Sequence, residues 1–172
     1  MKNLRCFRLV ITAGFMVFVI AVSFSCRGEK INLPEKIIGA WKSKVQFKTG
    51  TFAAVEDLEF MYVFNKGGTM TESSNYDGAP PVPPAYGIWR KNSEKSFEVK
   101  YEFFTTSPPA SFDNLKSSGG FSPAGYGIIT EEITFNDDMN SFSSNITMAL
   151  FDKSGNHIGV DEAKAVALKM EF

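Results

Sequence analysis

FEVKYEF, the segment from Phe97 to Phe103, alternates apolar and charged side chains at every position. Successive side chains of a β-strand point to opposite faces, so this pattern predicts a strand with one buried and one solvated face. Weaker versions of the same period predict seven more strands, at about 41–48, 58–64, 69–76, 86–91, 128–135, 142–151 and 164–172. On the last of these, one side carries Val166, Leu168, Met170 and Phe172. No comparable helical period occurs, so an all-β fold is expected.

Short and long connections alternate between these strands. Tight turns rich in Asn, Asp and Gly are predicted at 65–68, 92–95 and 136–140. Long connections are predicted at 77–85, 105–124 and 152–163. Successive connections of an antiparallel meander lie at opposite ends of the sheet. All the tight turns should therefore share one end, and all the long loops should share the other. Closure removes exposed sheet edges, and the pattern therefore predicts an eight-stranded antiparallel up-and-down barrel.

The first 25 residues have the parts of a secretory signal in order. Lys2, Arg5 and Arg8 form a basic start, and an apolar run follows from Leu9 to Val22. We therefore expect an exported protein with a signal peptide over residues 1–25. A permanent anchor is the lesser alternative, because Leu9 to Phe24 supplies 16 residues and a membrane-spanning helix needs about 20.

Cys26 directly follows the apolar run and precedes a polar stretch that ends near Lys36. This arrangement resembles the processing site of bacterial lipoproteins, in which the cysteine is lipidated and becomes the first residue. The resemblance implies lipidation of Cys26, a polar tether over 26–36, and a membrane anchor on the periplasmic face or at the outer membrane. The alternative is ordinary cleavage after Ala21-Val22-Ser23, which would release a soluble periplasmic or secreted protein.

Gly39-Ala40-Trp41 opens the first predicted strand, and Gly87-Ile88-Trp89 repeats the Gly-x-Trp pattern. With the eight-strand meander, these residues make the chain resemble the lipocalin-like barrels of the calycin group over about 37–172. The resemblance implies a barrel domain over that range and structural packing roles for Gly39, Trp41 and Trp89. Two family features are absent here: a Thr-Asp-Tyr motif, and an arginine near the last strand to cap the first tryptophan.

The residue composition argues against several kinds of functional site. Beyond residue 25 the chain has 15 Lys or Arg and 19 Asp or Glu, and this negative balance argues against a nucleic-acid partner. His157 is the only histidine, so a Ser or Cys triad and a His-rich zinc site are not expected. Asp137-Asp138 and Asp161-Glu162 fall in predicted turns and are expected to be solvated. We therefore expect no catalytic residue, metal or cofactor.

Glu131 is the most informative inward polar residue. Keeping Ile129 and Ile133 inside the barrel also takes Glu131 inside, and a buried carboxylate needs an ionic or hydrogen-bond partner. Arg90 is a candidate partner if its face of the strand, shared with Ile88, points inward. The alternative is a β-bulge that turns Glu131 outward and leaves Arg90 on the surface.

Tyr62 and Tyr101 lie on apolar faces of their strands. A buried phenol needs a hydrogen-bond partner, which a ligand or water in a cavity can supply, although core packing is the alternative. We expect Tyr62, Tyr101 and Phe103 to line the barrel lumen, with Arg90 and Glu131 as the polar pair that orients a ligand head group.

Three functions fit these features. The first is an exported, lipid-anchored protein that binds a small, partly apolar or amphiphilic ligand at the long-loop end of the barrel. The second is a structural or protein-interaction lipoprotein whose barrel is filled by side chains. The third is a calycin-like enzyme, such as a cyclase, isomerase or decarboxylase. An eight-stranded barrel is wide enough either to be filled or to hold one small ligand. We expect a binding protein and no enzyme; the oligomeric state stays open.

Overall fold

The computed structural model of the protein describes residues 36–77, 82–111, 113–114 and 120–172. Within these residues eight antiparallel strands form a closed barrel, in which each strand pairs with its neighbour in the chain and the last pairs with the first. The strands are β1 (Gly39–Phe47), β2 (Glu59–Phe64), β3 (Thr69–Ser74), β4 (Ala85–Lys91), β5 (Ser96–Ser107), β6 (Ser122–Phe135), β7 (Ser141–Asp152) and β8 (His157–Lys169). The predicted fold class is confirmed.

The predicted signal peptide, Cys26 and nearly all of the tether fall outside the described residues. Within the part of the chain that the structure describes, no helix has the length and apolar character needed to cross a membrane.

The three tight turns lie where they were predicted, between β2 and β3, β4 and β5, and β6 and β7. At the opposite end, the β1–β2 connection carries a short 3-10 helix, Thr51–Ala54. The β3–β4 and β5–β6 connections also lie at this end, as predicted. We call this the loop end and the opposite end the closed end.

The predicted long loop over 152–163 is wrong. β8 begins at His157, so the β7–β8 connection is a tight turn over 153–156. The turn forms because Asp152 Oδ1 accepts hydrogen bonds from the backbone N–H groups of Ser154 and Asn156, at 2.8 and 2.9 Å. Gly155 supplies the positive φ of 80° that the turn requires. His157 is therefore a strand residue, and it is exposed.

The buried part of the inner face of β8 is made of small residues. Ala163, Ala165 and Ala167 are buried opposite the larger side chains of β1 and β7. The apolar side of β8 noted in the sequence is the outer one, where Val166 and Leu168 are exposed. Small side chains fit inside because the facing strands fill the same volume with aromatic rings, and a second large set would overpack the core.

Aromatic packing fills the closed end. Trp41 is buried, and its indole N–H donates to the Ile37 carbonyl at 2.7 Å. The ring meets Phe135 edge-on at 5.3 Å between centroids. Lys169, on the last strand, places its ammonium 5.4 Å from the ring centroid, within the range of a cation–π contact. This lysine covers Trp41 where the sequence offers no arginine.

Trp89 stabilises a second part of the closed end. Its indole N–H lies 3.1 Å from the carbonyl oxygens of both Asn65 and Thr69, at the β2–β3 turn. The two Gly-x-Trp tryptophans thus hold chain segments at the closed end.

Candidate functional site

A cavity of about 280 Å³ opens at the loop end. Residues from strands, the 3-10 helix and the β3–β4 connection line it: Phe47, Thr51, Phe52, Leu58, Phe60, Glu72, Ser74, Tyr76, Asp77, Val82, Pro83, Phe103, Thr105, Thr106, Ile129, Met148, Leu150 and Asp161. Most are apolar, as in pockets that bind small organic molecules. The cavity lies at the end that the loop lengths predicted.

Phe103 is the one predicted ligand residue that lines this cavity. Its ring has room because residue 127, on the neighbouring strand β6, is a glycine. A Cβ at position 127 would lie 2.3 Å from Phe103 Cζ, far inside van der Waals contact. Gly127 therefore sets where the Phe103 ring stands in the cavity wall.

Glu72 is a polar group of the cavity that the sequence analysis missed. Its side chain is on the inner face of β3 with Met70, and only 6% of the residue is exposed. Oε1 of Glu72 has no hydrogen-bond partner among the described residues. Strand alternation could have identified Glu72, because Met70 marks the inner face of β3 and Glu72 lies two positions further along the strand.

The environment of Glu72 disfavours its charged form. Burial raises the pKa of Glu72 well above its usual range, and the negative charges of Asp77 and Glu131 raise it further. A ligand that supplies a hydrogen-bond donor or a positive charge would relieve this cost.

Two more acidic residues line the cavity, and both have partners. Asp77 accepts hydrogen bonds from the backbone N–H and the hydroxyl of Ser74, at 2.7 and 2.8 Å. Asp161 accepts from the Thr49 hydroxyl at 3.4 Å. Among the described residues that line the cavity, none is basic.

Glu131 lies inside the barrel, as strand alternation predicts, and it is fully buried. The β-bulge alternative is wrong at this position, since the β5–β6 and β6–β7 ladders run through Glu131 without a register shift. The β5–β6 irregularity lies at Thr105/Thr106 instead.

Three hydroxyl groups donate to the Glu131 carboxyl. Ser144 and Tyr62 donate to Oε1 at 2.5 and 3.4 Å, and Tyr101 donates to Oε2 at 3.2 Å. Burial raises the pKa of Glu131 to about 7, and the three hydrogen bonds oppose that rise. Burial also raises the pKa of both phenols well above the ordinary value. We call these four residues the buried acid cluster.

The buried acid cluster lies below the cavity and does not line it. Phe60, Ile129 and Met148 form the cavity wall next along the same strands. Tyr62, Tyr101 and Glu131 were predicted to line the lumen; the structure brings them together, but as hydrogen-bonded partners in the core. Ser144 was missed, because a serine in the polar stretch Ser143-Ser144-Asn145 gives no sign that a carboxylate faces it.

Arg90 is not the partner of Glu131. Its side chain is 74% exposed on the outer face, where it pairs with Glu98 through an Nε–Oε2 hydrogen bond of 2.8 Å. Arg90 and Glu98 are directly opposite in the β4–β5 ladder. The inner face of β4 instead carries Gly87, where a Cβ would lie 2.5 Å from that of Tyr101. Glycine at this position lets Tyr101 reach the core.

The acidic pairs in the sequence do not form a metal site. Asp137 accepts from the Lys95 ammonium at 2.6 Å, and Glu162 pairs with Lys48 at 3.3 Å. Within the described part of the chain, no group of three or more His, Cys, Asp or Glu side chains is placed to hold a metal ion.

No protein-family model matches the chain, and no curated protein matches it. A similar solved structure is described as "Structure of EF1p2_mFAP2b bound to DFHBI". The two chains are 11% identical, with a TM-score of 0.47, and the match covers 78% of this chain and 94% of the other. Similarity this low supports no statement about function, and the barrel assignment rests on the strand pairing described above.

Proposed function

We propose that this protein binds a small, partly apolar molecule in the cavity at the loop end of its barrel. One observation carries the proposal: the cavity is lined by apolar side chains around a buried carboxyl oxygen of Glu72 that has no partner among the described residues. Protein cores are close-packed, and buried polar atoms are almost always hydrogen-bonded. An open cavity that contains a buried polar atom without a hydrogen-bond partner is typical of a ligand site.

The filled-barrel alternative suits the closed end better than the loop end. Trp41, Phe135 and Phe142 pack together at the closed end, with ring centroids about 5 Å apart. No such packing fills the 280 Å³ at the loop end. We therefore favour a binding protein over a purely structural module.

The position of the buried acid cluster favours binding over catalysis as the function of the protein. Burial raises the pKa of Glu131 to about 7, a value suited to acid–base chemistry. However, the hydroxyl groups that donate to Glu131 lie between strands below the cavity, and Arg90 lies on the outside of the barrel. The proposed role is binding, without a reaction.

The proposal includes export and a lipid anchor at Cys26. Its support is the sequence alone: a basic start, an apolar run and a cysteine at the end of that run. The anchored protein would face the periplasm or lie at the outer membrane. Cleavage after Ser23, with release as a soluble protein, is the competing outcome.

Native mass spectrometry of the full-length protein, purified from its own host, tests the binding proposal. We expect a small molecule to co-purify with the wild type. Leu150→Trp fills part of the cavity and should remove the bound mass, whereas Thr147→Trp, on the outer face of the same strand, should retain it. A wild-type protein without any bound mass would contradict the proposal.

A further inference from the structure

The charged groups facing the cavity are all of one sign. Glu72, Asp77 and Asp161 line it, and no basic residue is among the described lining residues. A ligand carboxylate would therefore meet carboxyl groups without a cation to offset their repulsion. A ligand with a positive charge would be attracted by each of the three carboxyl groups in its charged form.

Glu72 needs a donor that the neighbouring side chains do not give. The hydroxyls of Tyr62, Tyr101 and Ser144 donate to Glu131. Ser74 donates to Asp77 at 2.8 Å, and the Tyr76 hydroxyl donates to Asp57 at 2.7 Å. These donors are engaged elsewhere, and a donor group on a ligand would satisfy Glu72 Oε1.

The cavity wall suits an organic cation in a second way. Phenylalanine rings from four separate elements line it: Phe47 on β1, Phe52 on the 3-10 helix, Phe60 on β2 and Phe103 on β5. Aromatic faces attract an ammonium group through the ring quadrupole, and they also bury apolar carbon. An apolar body attached to one ammonium group would match both properties.

We infer that the cavity binds an apolar organic amine in its ammonium form, with the ammonium group at Glu72 and the apolar body against the phenylalanine walls. This inference rests on the proposed binding function and adds the chemical class of the ligand. The ammonium donates to Glu72 Oε1, and its charge compensates the buried carboxylate, which would otherwise be unpaired.

Binding should release a proton from Glu72 at pH values where the free carboxyl is protonated. Burial raises the pKa of Glu72, and an adjacent ammonium lowers it again. The described titratable groups near Glu72 in the cavity and below it are Tyr76, Asp77, Asp161, Glu131, Tyr62 and Tyr101. Proton release from Glu72 should disappear in Glu72→Gln, because the amide does not titrate.

Three probes share a phenyl group as their apolar body and differ in their head group: 2-phenylethylamine, 2-phenylethanol and phenylacetate. Their affinities therefore show which head group the cavity prefers. Isothermal titration of the full-length protein in detergent, with a micelle blank, measures their affinities. We expect the amine to bind at least about tenfold more tightly than the alcohol, which corresponds to about 1.4 kcal/mol, and phenylacetate to bind most weakly. Titration in two buffers of different ionisation enthalpy gives the number of protons released.

Glu72→Gln is the decisive variant. It should reduce amine affinity by at least about tenfold and change alcohol affinity by less than about twofold, since the apolar walls remain. Glu102→Gln removes one carboxylate from the exposed outer face of β5 and should leave all three affinities and the proton release unchanged. Circular dichroism confirms that each variant folds.

The outcomes distinguish this inference from the proposed function. If the alcohol binds as tightly as the amine, and Glu72→Gln changes neither, the amine inference is overturned while the binding function stands. The inference is also overturned if phenylacetate binds most tightly. If none of the three probes binds, the amine inference fails, and native mass spectrometry of the wild type then decides whether the binding function fails as well.

Discussion

The Ser144 hydroxyl donates a hydrogen bond of 2.5 Å to Oε1 of Glu131, between strands β6 and β7 in the barrel core. With the two tyrosines, this bond gives every oxygen of a fully buried carboxyl at least one partner. A buried acid with partners costs far less than one without. Two carboxyl groups inside the barrel are therefore unlike: Glu131 is satisfied by the protein, and Glu72 faces the cavity with an oxygen that has no partner in the described part of the chain.

Glu131 should make stability depend on pH. Burial raises its pKa from 4.5 to about 7, so the folded protein binds one proton more than the unfolded chain between these values. The free energy of unfolding should therefore fall as pH rises through this window, by about 3 kcal/mol from this group, and level off above it. Urea unfolding across this pH range measures the change.

Glu131→Gln is the matched variant for that measurement, because the amide is nearly isosteric and does not titrate. It should lose the part of the decline that comes from Glu131, and the part that comes from Glu72, whose pKa is also raised, should remain. Equal pH slopes in wild type and Glu131→Gln would show that Glu131 keeps an ordinary pKa in the folded protein.

Ser144→Ala should destabilise the protein by about 1–3 kcal/mol, because it removes a donor from a buried carboxyl. The loss should be larger near pH 8 than near pH 5, since the charged carboxylate depends more on its donors. Ser143→Ala, at the exposed neighbouring position on β7, is the control and should cost less than about 0.5 kcal/mol. A cost independent of pH would argue against a hydrogen bond to Glu131.

Gly127→Ala should destabilise the barrel by about 1–3 kcal/mol, because the added methyl group meets the Phe103 ring. Gly159→Ala, on β8, is the matched control: a Cβ there has no atom within 4 Å. Thermal unfolding of both variants measures the difference. If the two substitutions cost the same, the Phe103 ring is not held against Gly127.

If Cys26 carries the proposed lipid, Cys26→Ala should move the protein out of the membrane fraction or leave it as an unprocessed precursor, because the variant lacks the thiol to which the lipid would be attached. Fractionation of host cells and intact mass measure the change. Unchanged fractionation and mass would contradict lipidation and favour cleavage after Ser23.

Strand alternation predicts much of this structure because a closed barrel has one inside and one outside. An inward residue on a clear apolar face, such as Glu131 or Phe103, can therefore be placed from its neighbours. The same argument fails for β4, where apolar residues occupy both faces. Tyr86 and Ile88 lie outside, and the inner face is decided by the close approach of Tyr101 to Gly87.

Hydrogen-bond partners on different strands are harder to predict than the side of the sheet on which a residue lies. The sequence places Glu131 inside but does not show that Ser144, from another strand, donates to it. Glu72 was missed because β3 is mostly polar, so its single apolar residue, Met70, gave the only sign of which side faces inward. The loop end was predicted from connection lengths, yet one of its predicted loops is a four-residue turn held by Asp152.

Methyl NMR spectra of the full-length protein test the central claim, that a small molecule binds inside the barrel at the loop end. A small-molecule extract of the host cell is added, and methyl shifts are followed at cavity and surface positions. We expect shifts at Met148 and Leu150, which line the cavity, and none at Met61 and Leu168, which are exposed on the outer face. Unchanged cavity methyl signals, or shifts confined to the outer face, would contradict binding in the cavity.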